Sequence, residues 1–411
     1  MEPLPSRRPS PKIALLYSAA MIPADHARSG GRIRVGVAGL GAVAQAVHLP
    51  LLARLDDIFE IAALADLSPA LLARMGDRYR VPGAGRVGSV EALLGLPGLD
   101  ALVLLTSGSH GGAALAALDR GLAVLCEKPL ATTIAEADRL AASPAASRLL
   151  LGYMKAFDPA VNEARRVTIA EAATLGERRA IDVTVLHPTG EAQLAFAHLI
   201  PPADDVDPAV LAELRRESDR LVEVALGPAA APVAGPLYAN LLLASLVHEL
   251  SVIRAVTGET GPLSIDHVDV WPEGAWPPSV RVVGRLPSGV RATIGWHFLD
   301  RYPAYREEVR FHHVGGSVEL AFPSPYRLHA PTILAVSRGG SETRRRTEFD
   351  SIDEAFEMEL LAFARMVREG ETPRTGIADG RTDILTCQRI AAAWARRREV
   401  AVGGEAAEAG A

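Results

Sequence analysis

A glycine turn after a short apolar strand is the first stretch of this chain that could do chemistry. The β-branched run Ile33–Val37 leads directly into Gly39-Leu-Gly41, and Ala44 follows three residues later. Gly39 permits a tight turn, Gly41 lets the backbone approach a pyrophosphate, and Ala44 lets the next helix pack closely. N–H groups and the dipole at a helix start attract phosphate. The predicted cofactor-binding backbone is Gly39, Gly41, Ala42, Val43 and Ala44.

A carboxylate stands where the adenosine ribose of a bound dinucleotide is expected. A second strand, Phe59–Ala65, ends in Asp66, roughly 20 residues beyond the glycines as the dinucleotide pattern requires. Asp66 can accept a hydrogen bond from the ribose 2′-hydroxyl and would repel a 2′-phosphate. Leu67 and Ser68 add no positive charge, so NAD is favoured, whereas Arg74 keeps NADP open. The plainer interpretation is an ordinary strand–turn–helix unit, which the position of Asp66 argues against.

Later strand ends of the same region add polar candidates. Strands and helices alternate from Ile33 to about Leu151, which predicts a doubly wound parallel sheet with its ligand crevice beyond the carboxyl ends of the strands. A lysine at such an end, facing a nicotinamide, can donate a proton or bind substrate. A surface ion pair of Glu127 with Lys128 is the alternative. The cofactor candidates are Thr106, His110, Glu127 and Lys128, and the substrate candidates are Lys128, Tyr153 and Lys155.

Composition bounds the class of protein. The chain has 411 residues, of which 49% are hydrophobic and 22% charged, as in a globular protein long enough for two domains. A net charge of −6 argues against nucleic acid or an anionic membrane as partner. Cys126 and Cys387 lie far apart in apolar surroundings, so we expect a reducing, cytoplasmic compartment. No apolar run approaches the ~18 residues that span a bilayer, and no spacing suggests zinc or another metal.

The pattern changes after Tyr153. Residues 189–237 are read as an insertion that could cover a site, with one helix at Pro208–Ala225. Turn-separated strand patterns then favour an open, mostly antiparallel sheet in a C-terminal α+β domain. The predicted strands are His267–Val270, Val280–Leu286, Arg291–Phe298, Glu307–His313 and Ser317–Ala321. The predicted units are a disordered extension (1–31), a Rossmann domain (32–152), a substrate and oligomerisation domain whose last helices could pack on the first (153–400), and a disordered tail (401–411).

Two details bear on these units. Arg7-Arg8 followed by the apolar patch Ile13–Ala20 faintly resembles an export signal, which is the alternative to a disordered extension. Within the second domain, His187 ends a strand, His248 lies on a helix predicted over Leu241–Thr257, and Asn240 lies two turns earlier on about the same face. Each of these three could bind hydroxyl groups, and each could equally be structural.

Taken together, these motifs resemble the glucose–fructose oxidoreductase and inositol dehydrogenase family, called Gfo/Idh/MocA. The resemblance covers roughly Ile33–Arg398 and is most specific at Glu127-Lys128-Pro129. It implies a Rossmann domain followed by a domain whose open sheet often supports oligomers, here a homodimer or homotetramer. It also implies oxidation or reduction of a secondary alcohol on a sugar, cyclitol or related polyol with NAD or NADP.

The resemblance assigns catalytic roles to Lys128 and His248. Histidine titrates near neutrality and can exchange the hydroxyl proton, while the lysine stabilises developing alkoxide charge. The family usually places an aspartate one turn before the histidine, where this chain has Ala244. Ser245 could orient the ring instead, whereas Glu249 points about 100° around the helix. Two further functions therefore stay open, a redox-assisted glycosidase or lyase that retains NAD, and a non-catalytic dinucleotide-sensing regulator.

Overall fold

The structure is a computed structural model that describes residues 31–201, 204–340 and 342–409. The expected disordered extension, and the alternative export signal, fall almost entirely outside these residues. The strands are β1 (Ile33–Ala38), β2 (Phe59–Ala65), β3 (Arg86–Val87), β4 (Ala101–Leu104), β5 (Ala123–Glu127), β6 (Leu149–Gly152), β7 (Arg178–His187), β8 (Ser264–Trp271), β9 (Ser279–Arg285), β10 (Arg291–Phe298), β11 (Arg306–His313), β12 (Gly316–Phe322), β13 (Ile333–Gly339) and β14 (Arg344–Phe349).

The α-helices and shorter helical pieces alternate with these strands. The α-helices are α1 (Leu49–Arg54), α2 (Pro69–Arg78), α3 (Val90–Leu94), α4 (Gly111–Asp119), α5 (Ile134–Ala141), α6 (Pro159–Ala170), α7 (Ala172–Leu175), α8 (Gly190–Leu194), α9 (Pro208–Leu226), α10 (Ala231–Leu237), α11 (Val247–Thr257), α12 (Ala355–Glu369), α13 (Ile377–Arg397) and α14 (Gly404–Glu408). Two π-helices cover Ala44–His48 and Tyr238–Leu246, and 3₁₀ turns cover Gly83–Gly85, Ala146–Arg148, Met154–Phe157 and Ala195–Ala197.

The first sheet is parallel and has the strand order β3-β2-β1-β4-β5-β6. Strands β4, β5 and β6 are buried along their whole length and are apolar except for Glu127 at the end of β5, as expected for a parallel sheet covered on both faces. The chain leaves β1 for β2 on one side, and β4 returns on the other side of β1. The crevice at this switch point is the position at which such folds bind ligands, and the predicted doubly wound sheet is confirmed.

Local capping explains where several of these helices begin. Ser68 accepts the N–H of Leu71 at the start of α2, with Pro69 in the first helical position. Thr133 and Glu136 form a reciprocal capping box at the start of α5. These side chains satisfy backbone N–H groups that have no partner within the helix.

The second sheet has eight strands in the order β14-β13-β12-β11-β7-β10-β9-β8. Only β7 and β10 pair in parallel, and the other neighbours are antiparallel. The predicted mostly antiparallel sheet is therefore confirmed. The sequence prediction omitted β13 and β14, and β14 is exposed at every residue, so it carries no apolar alternation that would mark a strand.

The insertion after β7 packs on the dinucleotide-binding edge of the first sheet. The N–H of Ile200 donates to Gln45 Oε1 at 2.8 Å, beside the glycine turn. Asp205 Oδ2 accepts the N–H of Ala70 at 2.7 Å, at the start of α2. These contacts place the segment before α9 against the carboxyl ends of β1 and β2. The glycine turn follows the first of these strands, and Asp66 follows the second.

The expected disordered C-terminal tail is wrong for residues up to Ala409. Gly403 donates its N–H to the carbonyl of Leu226 at 2.9 Å, and α14 follows. The two carboxylate oxygens of Glu405 accept the N–H groups of Ile134 and Ala135 at 2.7 and 2.9 Å. A negative charge at a helix N-terminus is stabilised by the helix dipole. Glu405 therefore helps to hold the C-terminal segment against the start of α5.

The last long helices pack back on the first domain. Arg381 of α13 pairs with Asp138 of α5 at 2.6 Å, and Thr375 donates its hydroxyl to the Leu151 carbonyl at 2.6 Å. Among the residues that the structure describes, one helical stretch, Ala231–Thr257, is long and apolar enough to cross a membrane, and 61% of its apolar window is buried inside the protein. That burial accounts for its composition as a core helix of the fold.

Candidate active site

A cavity of about 450 Å³ opens at the carboxyl ends of β1, β4 and β5. It brings together eight residues predicted from the sequence as site residues. They are Gly41, Ala42, Val43, Thr106, Glu127, Lys128, Asn240 and His248. The glycine turn, the strand-end lysine and the helix histidine therefore border one space, although they lie in distant parts of the chain.

The glycine turn has the geometry that a bound pyrophosphate requires. Gly39 has φ of +90°, and a Cβ there would lie 2.7 Å from the carbonyl oxygen of Leu105. Gly41 lines the cavity, and a Cβ built there would meet no described atom within 4 Å. The first glycine is thus required by the fold, whereas the second keeps the backbone accessible from the cavity. Ala44 is fully buried where the helix meets the sheet.

Asp66, which directly follows β2, is hydrogen-bonded to the backbone of this turn. Its Oδ2 accepts the N–H of Leu40 at 2.8 Å, and its Oδ1 accepts the N–H of Ser68 at 2.9 Å. The carboxylate lies outside the set of residues that lines the cavity, on the side facing α2. Each carboxylate oxygen can accept a second hydrogen bond, so the position suits a ribose hydroxyl.

Lys128 reaches across the cavity to the helix that precedes His248. Its Nζ donates to the carbonyl oxygen of Ala244 at 2.9 Å. Ala244 belongs to the π-helix Tyr238–Leu246, whose i→i+5 bonding widens the turn. Of the helix predicted over Leu241–Thr257, only the part from Val247 onward is an α-helix. The 3.6-residue period that was used to place Asn240 and His248 on one face therefore does not apply before Val247. Short π segments within helices often mark functional sites.

His248 carries a buried imidazole beside two lysines. Burial lowers the pKa of its imidazole well below the usual value, and the charges of Lys128 and Lys155 lower it further. Its Nδ1 is buried and has no hydrogen-bond partner among the described residues. The ring meets Tyr153 edge to face, with centroids 6.5 Å apart. The imidazole is therefore neutral at neutral pH, and one of its two ring nitrogens can accept a proton.

Neither Ser245 nor Glu249 orients His248 in place of the aspartate that the family usually has at the position of Ala244. Ser245 Oγ accepts the indole N–H of Trp296 at 3.0 Å. Glu249 is buried in a separate cluster, 3.6 Å from the ammonium of Lys155. Both sequence-adjacent candidates for orienting His248 are thus engaged elsewhere.

A buried pair beneath the cavity was missed by the sequence analysis. His48 Nε2 lies 3.0 Å from Glu127 Oε1, and Glu127 Oε2 accepts the N–H of Lys128 at 3.1 Å. Burial alone would raise the pKa of Glu127, but the hydrogen bond and charge of His48, with the charge of Lys128, hold it below its ordinary value. A lone histidine in an apolar helix gives little signal, because its partner lies 79 residues away.

Two predicted substrate residues turn away from the cavity. The hydroxyl of Tyr153 donates to Asp383 at 2.6 Å, and Tyr153 is only 1% exposed. Arg254 holds the same carboxylate with two hydrogen bonds of 2.8 and 2.7 Å. Lys155 is ion-paired with Glu307 and 5% exposed. The structure thus places the polar ends of Tyr153 and Lys155 against remote acids and outside the lining of the cavity, and their substrate contacts stay predictions.

Two predicted histidines also serve the fold. The ring nitrogens of His110 lie 2.6 Å from the carbonyl oxygens of Pro129 and Thr106, and the side chain is 1% exposed. Both nitrogens are engaged by backbone and His110 lies outside the lining of the cavity, so its cofactor contact stays a prediction. His187 packs on Trp296, with ring centroids 4.9 Å apart, and lies outside the lining of the cavity. Asn240, in contrast, is exposed and lines it.

Comparison with known proteins agrees with this architecture. Residues 33–152 match a family model described as an oxidoreductase family with an NAD-binding Rossmann fold, GFO_IDH_MocA. Inositol 2-dehydrogenase 3 of Saccharopolyspora erythraea is 32% identical over 146 residues, which are 34% of this chain and 41% of that protein. D-xylose 1-dehydrogenase (NADP(+)) 2 of Haloferax volcanii is 38% identical over 118 residues, 27% of this chain and 35% of that protein. The chain thus spans about two fifths of the curated relatives that it matches.

Solved structures extend the likeness of the fold to most of the chain. The aldose-aldose oxidoreductase of Caulobacter crescentus, complexed with glycerol, superposes with a TM-score of 0.65 at 19% identity, covering 90% of this chain and all of that one. UDP-N-acetylglucosamine 3-dehydrogenase of Acidithiobacillus ferrooxidans gives 0.60 at 19% identity, covering 88% and 97%. Residues 33–152 form a Rossmann domain of an NAD-binding family. Over those residues the chain is similar to the Gfo/Idh/MocA oxidoreductases.

Proposed function

We propose that this chain is an NAD-dependent oxidoreductase acting on a secondary hydroxyl or keto group of a sugar, cyclitol or similar polyol. The observation that carries the proposal is the meeting of Gly41, Lys128 and His248 around one cavity. A family described as NAD-binding, and relatives named for inositol and xylose dehydrogenation, support the same chemistry. A homo-oligomeric state and a cytoplasmic location belong to the proposal as well.

The residues of the cavity divide the work of binding and proton transfer. NAD, when bound, supplies the nicotinamide that accepts hydride from the carbinol carbon. The Gly41 backbone and the helix start after it bind the pyrophosphate, and Asp66 accepts a ribose hydroxyl. Neutral His248 takes the hydroxyl proton during oxidation and returns it during reduction.

Lys128 stabilises the oxygen from which that proton leaves. An ammonium has three N–H donors, and the Ala244 carbonyl occupies one of them. The remaining donors can face the alkoxide charge that develops on the substrate oxygen. Glu127, held by His48, fixes the backbone N–H of Lys128 and so the direction in which this side chain leaves β5.

A second candidate function, a dinucleotide-sensing protein without turnover, is favoured by one observation. His248 Nδ1 has no orienting partner among the described residues. An imidazole without such a partner can rotate or change tautomer, which weakens it as a base. The two functions share the cofactor site and differ in whether hydride moves.

The test begins with the freshly purified full chain. Cofactor released on denaturation is identified by absorbance and mass, and the protein is then assayed at 340 nm with NAD and a panel of polyols, including myo-inositol and xylose. Reduction of NAD by one polyol class, abolished in Lys128→Ala, is the expected result. NAD binding without reduction by any polyol would overturn the dehydrogenase and leave a sensor or a redox-assisted lyase or glycosidase. An eliminated or hydrolysed product with no net change at 340 nm would identify the latter.

A further inference from the structure

The insertion contributes an acidic side chain to the start of α2. Asp205 Oδ2 accepts the N–H of Ala70 at 2.7 Å, and its carboxylate also bonds the Ser68 side chain. Ser68 Oγ in turn accepts the N–H of Leu71. The donors that a helix start would offer to an external phosphate are therefore engaged by an anion of the chain itself.

Asp205 lies next to the ribose-reading acid. Asp66 accepts the backbone N–H of Ser68, while Asp205 bonds the side chain of the same serine and the backbone two residues later. The hydrogen bonds from Ser68 and Ala70 lower the pKa of Asp205, so it is ionised at neutral pH. Two carboxylates thus flank one serine at the end of β2.

The position of Asp205 is supported from the other side of the glycine turn. The backbone of Ile200 is hydrogen-bonded to Gln45, which is buried and also donates to the carbonyl of Leu40 at 2.9 Å. Leu40 is the residue whose N–H binds Asp66. The insertion is therefore attached to both elements that border the adenosine end of the proposed dinucleotide site.

We propose that Asp205 is a second specificity residue at the adenosine ribose, acting with Asp66 to select NAD(H) against NADP(H). This inference rests on the proposed dinucleotide binding. The ribose of NAD presents two vicinal hydroxyls that can donate to two carboxylates. A 2′-phosphate only accepts hydrogen bonds at neutral pH and carries negative charge, so it meets repulsion from both acids and finds the local N–H donors occupied.

Binding of NADH and NADPH to the full chain tests the inference without any substrate. Dissociation constants are measured by nicotinamide fluorescence and calorimetry for the parent, for Asp205→Asn, and for the exposed neighbour Asp204→Asn as matched control. We expect the parent to prefer NADH. Asp205→Asn should lower that preference by about tenfold, mainly through tighter NADPH binding, and Asp204→Asn should leave it within twofold.

A salt titration of the parent gives a second measurement that needs no variant. Because the Debye length falls from about 30 Å at 0.01 M to about 3 Å at 1 M salt, repulsion of NADPH should weaken and the preference for NADH should shrink. A preference for NADPH in the parent, or an unchanged preference in Asp205→Asn with NADH still bound, overturns the role of Asp205 and leaves dinucleotide binding intact. A parent that binds neither nucleotide overturns the proposed function together with this inference.

Discussion

Two lysines leave neighbouring strands of the first sheet, and their surroundings differ. Lys128 follows β5 and Lys155 follows β6, and the charges of both lower the pKa of His248. The ammonium of Lys128 donates to one neutral carbonyl, that of Ala244, and the side chain lines the cavity. The ammonium of Lys155 is paired with Glu307 and lies 3.6 Å from Glu249. Of the two, Lys128 lines the candidate active site, and Lys155 is ion-paired outside it.

The acids around Lys155 explain why it is structural. Tyr305 donates its hydroxyl to Glu307 at 2.5 Å, on the side of the sheet that faces α11. Burial, and then the charge of Glu307, raise the pKa of Glu249 to about 8. At neutral pH the cluster therefore holds one ammonium, one carboxylate and one protonated carboxyl group, and it is close to neutral. The ammonium of Lys155, paired with these acids, links Glu249 of α11 to Glu307 of the second sheet.

Replacing Lys155 should have the largest effect on stability, and it should distinguish this ion-paired lysine from Lys128. Lys155→Met leaves Glu307 buried without its cation, and breaking such a pair costs about 3–5 kcal/mol. Urea denaturation measures the loss in free energy of unfolding. Lys128→Met, the matched control, should change this free energy by less than about 1 kcal/mol, since only one hydrogen bond is lost. Equal destabilisation by the two variants would mean that the lysines do not differ as described.

Lys128→Ala should lower turnover and leave dinucleotide binding nearly unchanged. Removing a donor to a developing oxyanion typically lowers turnover by about 10²–10³-fold, while the glycine turn that binds the dinucleotide is untouched. Steady-state rates at 340 nm and NADH titration give the two readings. Lys128→Arg, which keeps the charge with a different shape, should recover part of the rate. Unchanged turnover in Lys128→Ala would remove this lysine from the mechanism.

Local patterns were sufficient for the elements that carry the site. The glycine turn and the type of each sheet depend on neighbours in sequence or on strand periodicity, and both were predicted. The set that meets in the cavity, Lys128 with His248, came from a family resemblance. Without it, nothing in the spacing of two residues 120 positions apart would have paired them.

The differences between expectation and structure share a physical cause, which is compensation by remote residues. Lys155 was expected to face substrate, but Glu307, 152 residues later, neutralises it. Glu405 makes an ordered segment of a tail whose composition suggested disorder, because it caps a helix 271 residues earlier. The π-helix before His248 was likewise not predicted from the sequence. Burial and pairing of charge are tertiary properties, and one sequence does not display them.

The charge of Lys128 should also be visible in the titration of His248. Burial lowers the pKa of this imidazole, and the two lysines lower it further, so the oxidation rate should stay level as pH falls through 6.5. In Lys128→Met one cation is gone, and the pKa of His248 should rise. NMR titration of the labelled imidazole measures both proteins directly. A pKa in the parent at or above 6.5, or no upward change in the variant, would contradict the placement of the ring.

The smallest effect concerns Glu249 in the Lys155 cluster. Its pKa is raised to about 8 in the folded protein, so folding favours the protonated carboxyl. That contribution to stability is complete below the unfolded value near 4.3 and is lost as pH rises through about 8. Glu249→Gln keeps the protonated shape without titrating, so its free energy of unfolding should fall less between pH 6 and 9. At pH 9 the variant should be the more stable by on the order of 1 kcal/mol. Parallel pH profiles of the two proteins in urea denaturation would show that Glu249 does not titrate between pH 6 and 9, and would contradict a pKa of about 8 for this carboxyl group in the folded protein.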